Sequence, residues 1–419
     1  MAVKQLIDLG ITLFGLVSAR AFALFSSIII ARISGASTFG EYSLFVTIFV
    51  IASEVPNAID TTFIRFSNSK LHNHPVALYQ SIAIIIKLGY ALTISLFGWF
   101  LAPVISEYAF NKPDSAGLVY WSLVAAAFMC VHTLLVGSYQ QRKQFTHVAL
   151  IRPIAGLGVF LVLGYFALNN HEINIINISQ IYLYVTAPLA LMSLGILIPK
   201  VKSYFTESVH HIRVFLKVAL LLVVSSVITL VSNRMDIFFL TSHLDFNSVG
   251  QYGAAIRVSV IVALITAAMT TIYVPKASAA TQVREAFNKY IQMMLTYSAI
   301  QTMLALLIIW QIDFIVDVIF GDDYKGIELI ATILIVQVLF EAYSRGFQAL
   351  IQCGPHPKYI VVSSVLRLIL SVVLLALLIP SYGATGGAIA VAATSGVIGL
   401  ILMYFALRDC KPAKGVENA

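Results

Sequence analysis

The sequence predicts an all-α polytopic membrane protein with about twelve transmembrane helices, arranged as two six-helix bundles related by a pseudo-two-fold axis along the membrane normal. Three observations carry this prediction. First, 59% of the residues are hydrophobic and 11% charged, against about 25% charged in soluble domains, and the mean hydropathy is +0.91. Second, the apolar runs are about twenty residues long and do not alternate in polarity. A helix crossing roughly 30 Å of hydrocarbon needs that length, whereas barrel strands would alternate over about ten residues. Third, the Lys and Arg content of the connecting segments rises and falls from one loop to the next, as the positive-inside rule requires.

In chain order the predicted spans are 8–33, 39–61, 77–102, 117–137, 147–168, 180–199, 214–240, 248–275, 290–312, 327–351, 358–379 and 383–407. The first follows a single Lys4, exceeds a signal-peptide core and lacks a convincing cleavage site, so it reads as an uncleaved helix. The second contains Ser53-Glu54-Val55-Pro56-Asn57, where proline removes a helix hydrogen bond and exposes a carbonyl. Asn111-Lys112-Pro113-Asp114 separates the third from the fourth, and Gly354-Pro355-His356-Pro357 separates the tenth from the eleventh. No connection is long enough for an extramembrane domain. Cys130, Cys353 and Cys410 show neither a disulfide framework nor metal-ligand spacing.

The charge count fixes the orientation. Lys4; Arg65 and Lys70; Arg142 and Lys143; Lys200, Lys202 and Arg213; Lys276, Arg284 and Lys289; Lys358; and Arg408, Lys411 and Lys414 fall on one side. Only Arg32, Lys112 and Lys325 fall on the other. Both termini are therefore expected in the cytoplasm. The formal net charge of +7 reflects this topology and not nucleic-acid binding. The acidic segment with Asp313, Asp317, Asp322, Asp323 and Glu328 is expected to face outward.

An internal repeat supports six helices per half. Val249-Gly250-Gln251-Tyr252 matches Phe39-Gly40-Glu41-Tyr42 at an offset of 210, and the same offset maps Phe110 onto Phe320. At an offset near 212, Gln140 maps onto Gln352, each followed by a helix containing Arg152 or Arg367. The expected division is 1–205 and 206–419, a parallel repeat with the substrate site between the halves, as in many transporters. Gly40 and Gly250 read as residues easing tight turns at helix starts, and Tyr42 and Tyr252 as interfacial anchors.

Charged side chains near the bilayer centre are costly. Arg20, Lys87, Arg257 and Arg367 lie deep in their spans, where snorkelling does not reach headgroups. Two readings are open: they line a hydrated cavity, or each pairs with a carboxylate or a helix carbonyl. Arg152 and Lys217 lie near the cytoplasmic side and read as snorkelling. Glu54 and Asp60 flank Pro56 as candidates for a hinge, for ion coupling or for pairing with Arg. Glu341 and Arg345 stand at the favourable i,i+4 spacing for a local ion pair. Arg234 and Asp236 are two apart, so they face different surroundings. The midplane set is mainly cationic and selects an anion, for which phosphate or pyrophosphate is the natural partner of Arg. There is no P-loop, Gly-x-Ser-x-Gly, His-Glu-x-x-His or dinucleotide turn. No catalytic residue, metal site or cofactor is expected, and an ion gradient is the expected driving force.

Ala31-Arg32-Ile33-Ser34-Gly35 through Phe39-Gly40-Glu41-Tyr42 resembles the first-loop pattern of polysaccharide flippases in the multidrug/oligosaccharidyl-lipid/polysaccharide exporter superfamily. Asn233 to Asp236 with Val249 to Tyr252, Ile319 to Tyr324 and Gln348 to Gln352 are similar to further stretches of that family, in its order. The resemblance implies an O-antigen (Wzx-type) flippase of the bacterial inner membrane. Such proteins move undecaprenyl-pyrophosphate-linked oligosaccharide from the cytoplasmic to the periplasmic leaflet by alternating access, coupled to H+ or Na+. It implies the lipid bilayer and other O-antigen assembly proteins as partners. Arg20, Lys87, Arg257, Arg367, Arg345 and Arg234 are then the candidate substrate-binding residues. Glu54, Asp60, Asp236 and Glu341 are the candidates for ion coupling or gating. Asp236 and Gly250-Gln251-Tyr252 match family positions that carry no defined chemical role. Three rivals stand beside this reading. A drug antiporter of the same superfamily would want acidic midplane sites. A polytopic O-antigen polymerase or ligase would carry a large periplasmic loop. A lipid II flippase would have two more helices.

Overall fold

The computed structural model describes residues 2–68, 75–169, 173–278, 283–353 and 358–409. Expectations resting on Lys70, Lys411, Lys414 and the Gly354–Pro357 turn lie outside the described residues. Among those described, every regular element is helical: α1 (Ala2–Glu54), α2 (Asn57–Asn68), α3 (Val76–Val104), α4 (Ala116–Gln141), α5 (Phe145–Ile151), α6 (Ile154–Leu168), α7 (Ile175–Val201), α8 (Phe205–Ser232), α9 (Met235–His243), α10 (Phe246–Ser278), α11 (Val283–Trp310), α12 (Ile312–Ile319), α13 (Glu328–Cys353) and α14 (Lys358–Asp409). Lipid offers backbone amides no partner, so helices that bond internally are the available solution.

Among the described residues, eight helical stretches are long and apolar enough to cross a bilayer, or nine with the α11–α12 pair, which bends by 72°. Two of the eight hold more than one crossing. Helix α1 breaks at Gly35, whose φ is 71°, and α14 breaks at Gly383, whose φ is 57°. At Gly383 the chain turns back on itself: a Cβ on Gly386 would lie 2.2 Å from the Leu378 carbonyl oxygen. Left-handed backbone of this kind is cheap only for glycine. Three further spans are interrupted: at Val55–Pro56 between α1 and α2, at Arg152–Pro153 between α5 and α6, and at Asn233–Arg234 between α8 and α9. Each of the twelve predicted spans falls on a helix or on such an interrupted pair. Rows of exposed apolar side chains, such as Leu92, Leu96, Trp99 and Phe100 on α3, match a lipid-facing surface.

The chain forms two compact units, Met1–Gly250 and Gln251–Ala419. The expected division at 205/206 was read from the repeat, and the compact boundary falls later because α8 joins the first unit. Phe215 and Ala219 of α8 enter a core with Phe63 and Phe66 of α2, Tyr79 and Ile82 of α3, and Leu134 of α4. Ser81 on α3 also meets Ser208 on α8. In the second unit α13 and α14 share a core of Phe347, Leu350, Ile351, Ile398 and Leu402. There Gly399 approaches Ser344, the close small-residue contact common between membrane helices.

The repeated glycines meet inside the first unit. A Cβ on Gly40 would stand 1.9 Å from the Phe246 carbonyl oxygen, and one on Gly250 would stand 1.9 Å from the Ala36 carbonyl oxygen. Ala36 and Phe246 each precede their glycine by four residues, so the contact is reciprocal and locally two-fold. Gly40 and Gly250 therefore serve a helix crossing and not the turn expected of them. Tyr42 and Tyr252 are buried and are not interfacial anchors. The Tyr42 hydroxyl instead pairs with that of Tyr182 at 3.1 Å. Gly40→Ala and Gly250→Ala should each cost about 1–3 kcal/mol through overpacking against rigid backbone. Thermal unfolding of the purified protein should show this loss, while Gly89→Ala, inside α3 with nothing within 4 Å, should leave stability unchanged or raise it slightly. Equal unfolding temperatures for all three would disprove the crossing.

Candidate functional site

The first unit contains a buried ion pair. Lys87 on α3 is fully buried, and its Nζ donates to Asp60 Oδ2 at 2.6 Å and to Thr133 Oγ1 at 2.8 Å. Helix α4 makes room for the Asp60 carboxyl at Gly137, where a Cβ would lie 3.2 Å from Asp60 Cγ. Of the two readings open for Lys87, the geometry gives the pairing with a carboxylate: its charge is committed to Asp60. An ammonium this deep requires an anionic partner, and α2 supplies it.

Beside the pair lies a cavity of about 350 Å³, lined from α2 by Asn57, Asp60 and Thr61, from α4 by His132, Thr133 and Gln140, and by Arg152. Thr61 and Gln140 are exposed and form its mouth. Asn57 and His132 escaped the sequence reading. The available signal was a histidine within the apolar run of α4 and an amide directly after Pro56. Arg152, read as snorkelling, stands at the α5–α6 break and borders the cavity instead.

A second grouping in the same unit surrounds the α1–α2 break. Glu54 is exposed there, and Arg234 and Arg20 are the cations that act on it. Arg20 also acts on Arg152. The fold thus brings together Arg20, Glu54 and Arg234, which lie in three separate spans of the sequence. Asp236 is buried at the start of α9, where its Oδ1 accepts the Ile237 amide at 2.9 Å.

The second unit has its own polar grouping. Arg345 Nη2 donates to Glu341 Oε1 at 2.6 Å, the local pair expected from the spacing. Gln337 Nε2 donates to Glu341 Oε2 at 3.2 Å and to Ser395 Oγ at 3.1 Å. Arg367 joins Arg345 in acting on Glu341. Arg257 Nη1 donates to the Gly253 carbonyl one turn earlier at 3.0 Å, so a helix carbonyl meets part of its charge. On the exposed turn after α12, Lys325 holds the Asp322 carboxyl below the ordinary carboxylate range through its hydrogen bond and charge. No group of three or more His, Cys, Asp or Glu suited to a metal occurs among the described residues.

A sequence profile described as "Polysaccharide biosynthesis protein" matches residues 29–329. No curated protein sequence matches the chain. Among solved structures, the lipid II flippase MurJ in an inward closed conformation is similar with a TM-score of 0.79 and 15% identity, over 94% of this chain and 86% of that one. An inward-facing multidrug resistance MATE family transporter of the MOP superfamily gives 0.72 and 13%, over 92% and 93%. A MOP superfamily transporter from Pyrococcus furiosus, described as having a binding pocket of reverse polarity, gives 0.65 and 13%, over 96% and 94%. At these identities the likeness establishes a MOP-type fold.

The Lys87–Asp60 pair makes a stability prediction. Removing one partner of a buried pair costs about 3–5 kcal/mol, while replacing both by apolar groups is often close to neutral. Asp60→Leu and Lys87→Met should each sharply lower the unfolding temperature, and the double variant should recover most of the loss. Additive losses in the double variant would mean that the two charges are not coupled.

Proposed function

The chain belongs to the polysaccharide biosynthesis protein family, and from that premise we propose that it is a flippase carrying a lipid-linked oligosaccharide across the bilayer. The cargo is an undecaprenyl-pyrophosphate-linked O-antigen unit, moved from the cytoplasmic to the periplasmic leaflet of the bacterial inner membrane by alternating access, with both termini in the cytoplasm. The chain acts as a transporter and not as an enzyme.

One observation carries the choice of cargo. At the α1–α2 break, Arg20 and Arg234 both act on the exposed Glu54, which brings two guanidinium groups into one region of the membrane-spanning part of the chain. Positive charge of this kind favours an anion, and guanidinium forks match phosphate oxygens in pairs. A lipid pyrophosphate is an anion that enters a membrane protein from the leaflet. A cationic drug would meet repulsion at the same place. Arg257, Arg367 and Arg345 remain candidates for later contacts with the cargo. Lys87 acts indirectly, by holding Asp60.

Glu54 is the carboxylate placed to link cargo to an ion. While it is ionised it offsets part of the Arg20 and Arg234 charge; when it is protonated or ion-bound, more of that charge is available to phosphate. H+ or Na+ thus has a direct route to affect cargo affinity. Asp236 and Glu341 are weaker candidates, since both are already engaged locally.

Flipping of the lipid-linked oligosaccharide can be followed in proteoliposomes. Arg20→Ala and Arg234→Ala should each reduce the rate at least about tenfold, the loss of roughly one charge-assisted hydrogen bond, at unchanged protein level. Wild-type rates in both variants would overturn the cationic site. Glu54→Gln should remove the response of flipping to imposed proton or sodium gradients. A response that persists in full would exclude Glu54 from coupling.

A further inference from the structure

The cavity beside the Lys87–Asp60 pair is more than a gap in the packing. Its walls hold buried polar atoms with no hydrogen-bond partner: Asp60 Oδ1, Asn57 Oδ1 and His132 Nε2. Asp60 and His132 are themselves almost completely buried, at 8% and 0% exposure. Unpartnered polar atoms of this kind are costly in an interior, so three in one cavity ask for a ligand or solvent.

Their chemistry narrows the choice. Ser193 Oγ donates to the Leu189 carbonyl at 2.7 Å, which commits its only hydrogen. His132 Nδ1, 3.0 Å from that same oxygen, must therefore be the donor. Neutral His132 then presents Nε2 as an acceptor. The Leu189 and Ile151 carbonyls both act on the ring, while Nε2 itself has no hydrogen-bond partner. All three unpartnered atoms are thus acceptors. The charged residues lining the cavity are Asp60 and Arg152; Lys87, outside the lining, offsets the Asp60 charge, so Arg152 leaves the balance positive. Arg20 adds a further positive field at Arg152.

A metal cation or amine would find acceptors here but would be opposed by this positive balance. An anion would find Arg152 but would face three acceptors, one of them a carboxylate. A neutral ligand with several hydroxyls meets both conditions: its O–H groups donate to Asp60, Asn57 and His132, and its oxygens accept from Arg152. At about 350 Å³ the cavity sits at the small end of ligand pockets, which run from roughly 300 to 1,000 Å³. It has room for one ring of an oligosaccharide. The exposed Thr61 and Gln140 leave an entrance.

We infer that this cavity is a sugar subsite, binding one hydroxylated ring of the lipid-linked cargo through Asn57, Asp60, His132 and Arg152. The inference rests on the proposed flippase function and adds a specificity element to it. The pyrophosphate is held by the arginines at the α1–α2 break, while the sugar is read within the first unit. A site that offers acceptors to substrate hydroxyls rejects ligands lacking them, because its polar atoms are then left unpaired.

The test compares three probes bound to the full-length protein in nanodiscs. These are undecaprenyl pyrophosphate, the same lipid carrying the oligosaccharide isolated from the cell of origin, and that oligosaccharide released from its lipid. The native protein should bind the glycosylated lipid at least about tenfold more tightly than the bare lipid, as expected for a few buried hydrogen bonds. Asn57→Ala should remove most of that preference and leave the affinity for bare lipid unchanged. Thr61→Phe narrows the mouth from an exposed position that makes no buried bond, and should have the same effect in a normally folded protein. Equal binding of both lipids by the native protein, or a preference that survives both substitutions, would overturn the sugar subsite while leaving the flippase proposal standing. Released oligosaccharide binding as tightly as the glycosylated lipid would assign the cavity to a soluble sugar and overturn the lipid-linked reading. Failure to bind either lipid would overturn the flippase proposal itself, and the subsite with it.

Discussion

In hydrocarbon no solvent satisfies a backbone amide or a charge, so each must find its partner within the chain. The unbroken stretches of helix meet the first demand. The Lys87–Asp60 pair shows the second at its most stringent. It joins α2 to α3, with Thr133 of α4 taking a further Lys87 hydrogen, and Gly137 gives the carboxyl the space it needs. Three helices are thereby fixed by one charge contact. The same helices meet in the apolar core of Phe63, Ile82 and Leu134, which α8 joins through Phe215.

The close crossing at Gly40 and Gly250 is the steric counterpart. Without an aqueous hydrophobic effect, helices in lipid gain most from van der Waals contact and close backbone approach. Gly40 and Gly250 let two carbonyl oxygens reach positions that any side chain would occupy. That the two glycines come from equivalent positions of an internal repeat explains why Ala36 and Phe246 play matching parts. The buried Tyr42, bonded to Tyr182, then ties the same helix to α7.

Much of this was legible in the sequence. Span length, breakers and the charge alternation locate the crossings, because bilayer thickness leaves little freedom in helix length. The offset of 210 residues singles out Gly40 and Gly250, although a repeat does not reveal that its two copies touch. What stays hidden is direction around the helix axis. A membrane helix is apolar on its lipid face and on its core face alike, so periodicity does not say where Lys87 points. Depth alone suggested a cavity; packing placed Asp60 against it. Tyr42 and Tyr252 misled for the same reason, since a tyrosine near a helix end is an anchor on one face and a core residue on another. His132 was passed over because a single histidine in an apolar run has no local pattern, and its significance comes only from Ser193 on one side and the cavity on the other.

The remaining polar groups of the first unit have a common placement. Glu54, Arg152 and Arg234 each stand at an interruption of a spanning helix, at Val55–Pro56, Arg152–Pro153 and Asn233–Arg234. An interrupted helix frees backbone groups that lipid does not satisfy, so such breaks persist where protein or water-lined space surrounds them. These are also the points where a helix changes direction most cheaply. Electrostatics links the three breaks: Arg234 and Arg20 act on Glu54, and Arg20 acts on Arg152. A change in the charge of Glu54 is therefore felt at Arg234 and Arg20. The Lys87–Asp60 pair, by contrast, lies within unbroken stretches of helix, with the Lys87 ammonium committed to Asp60. Lys87 is thus held along an intact helix, while Glu54, Arg152 and Arg234 lie where the helices can bend.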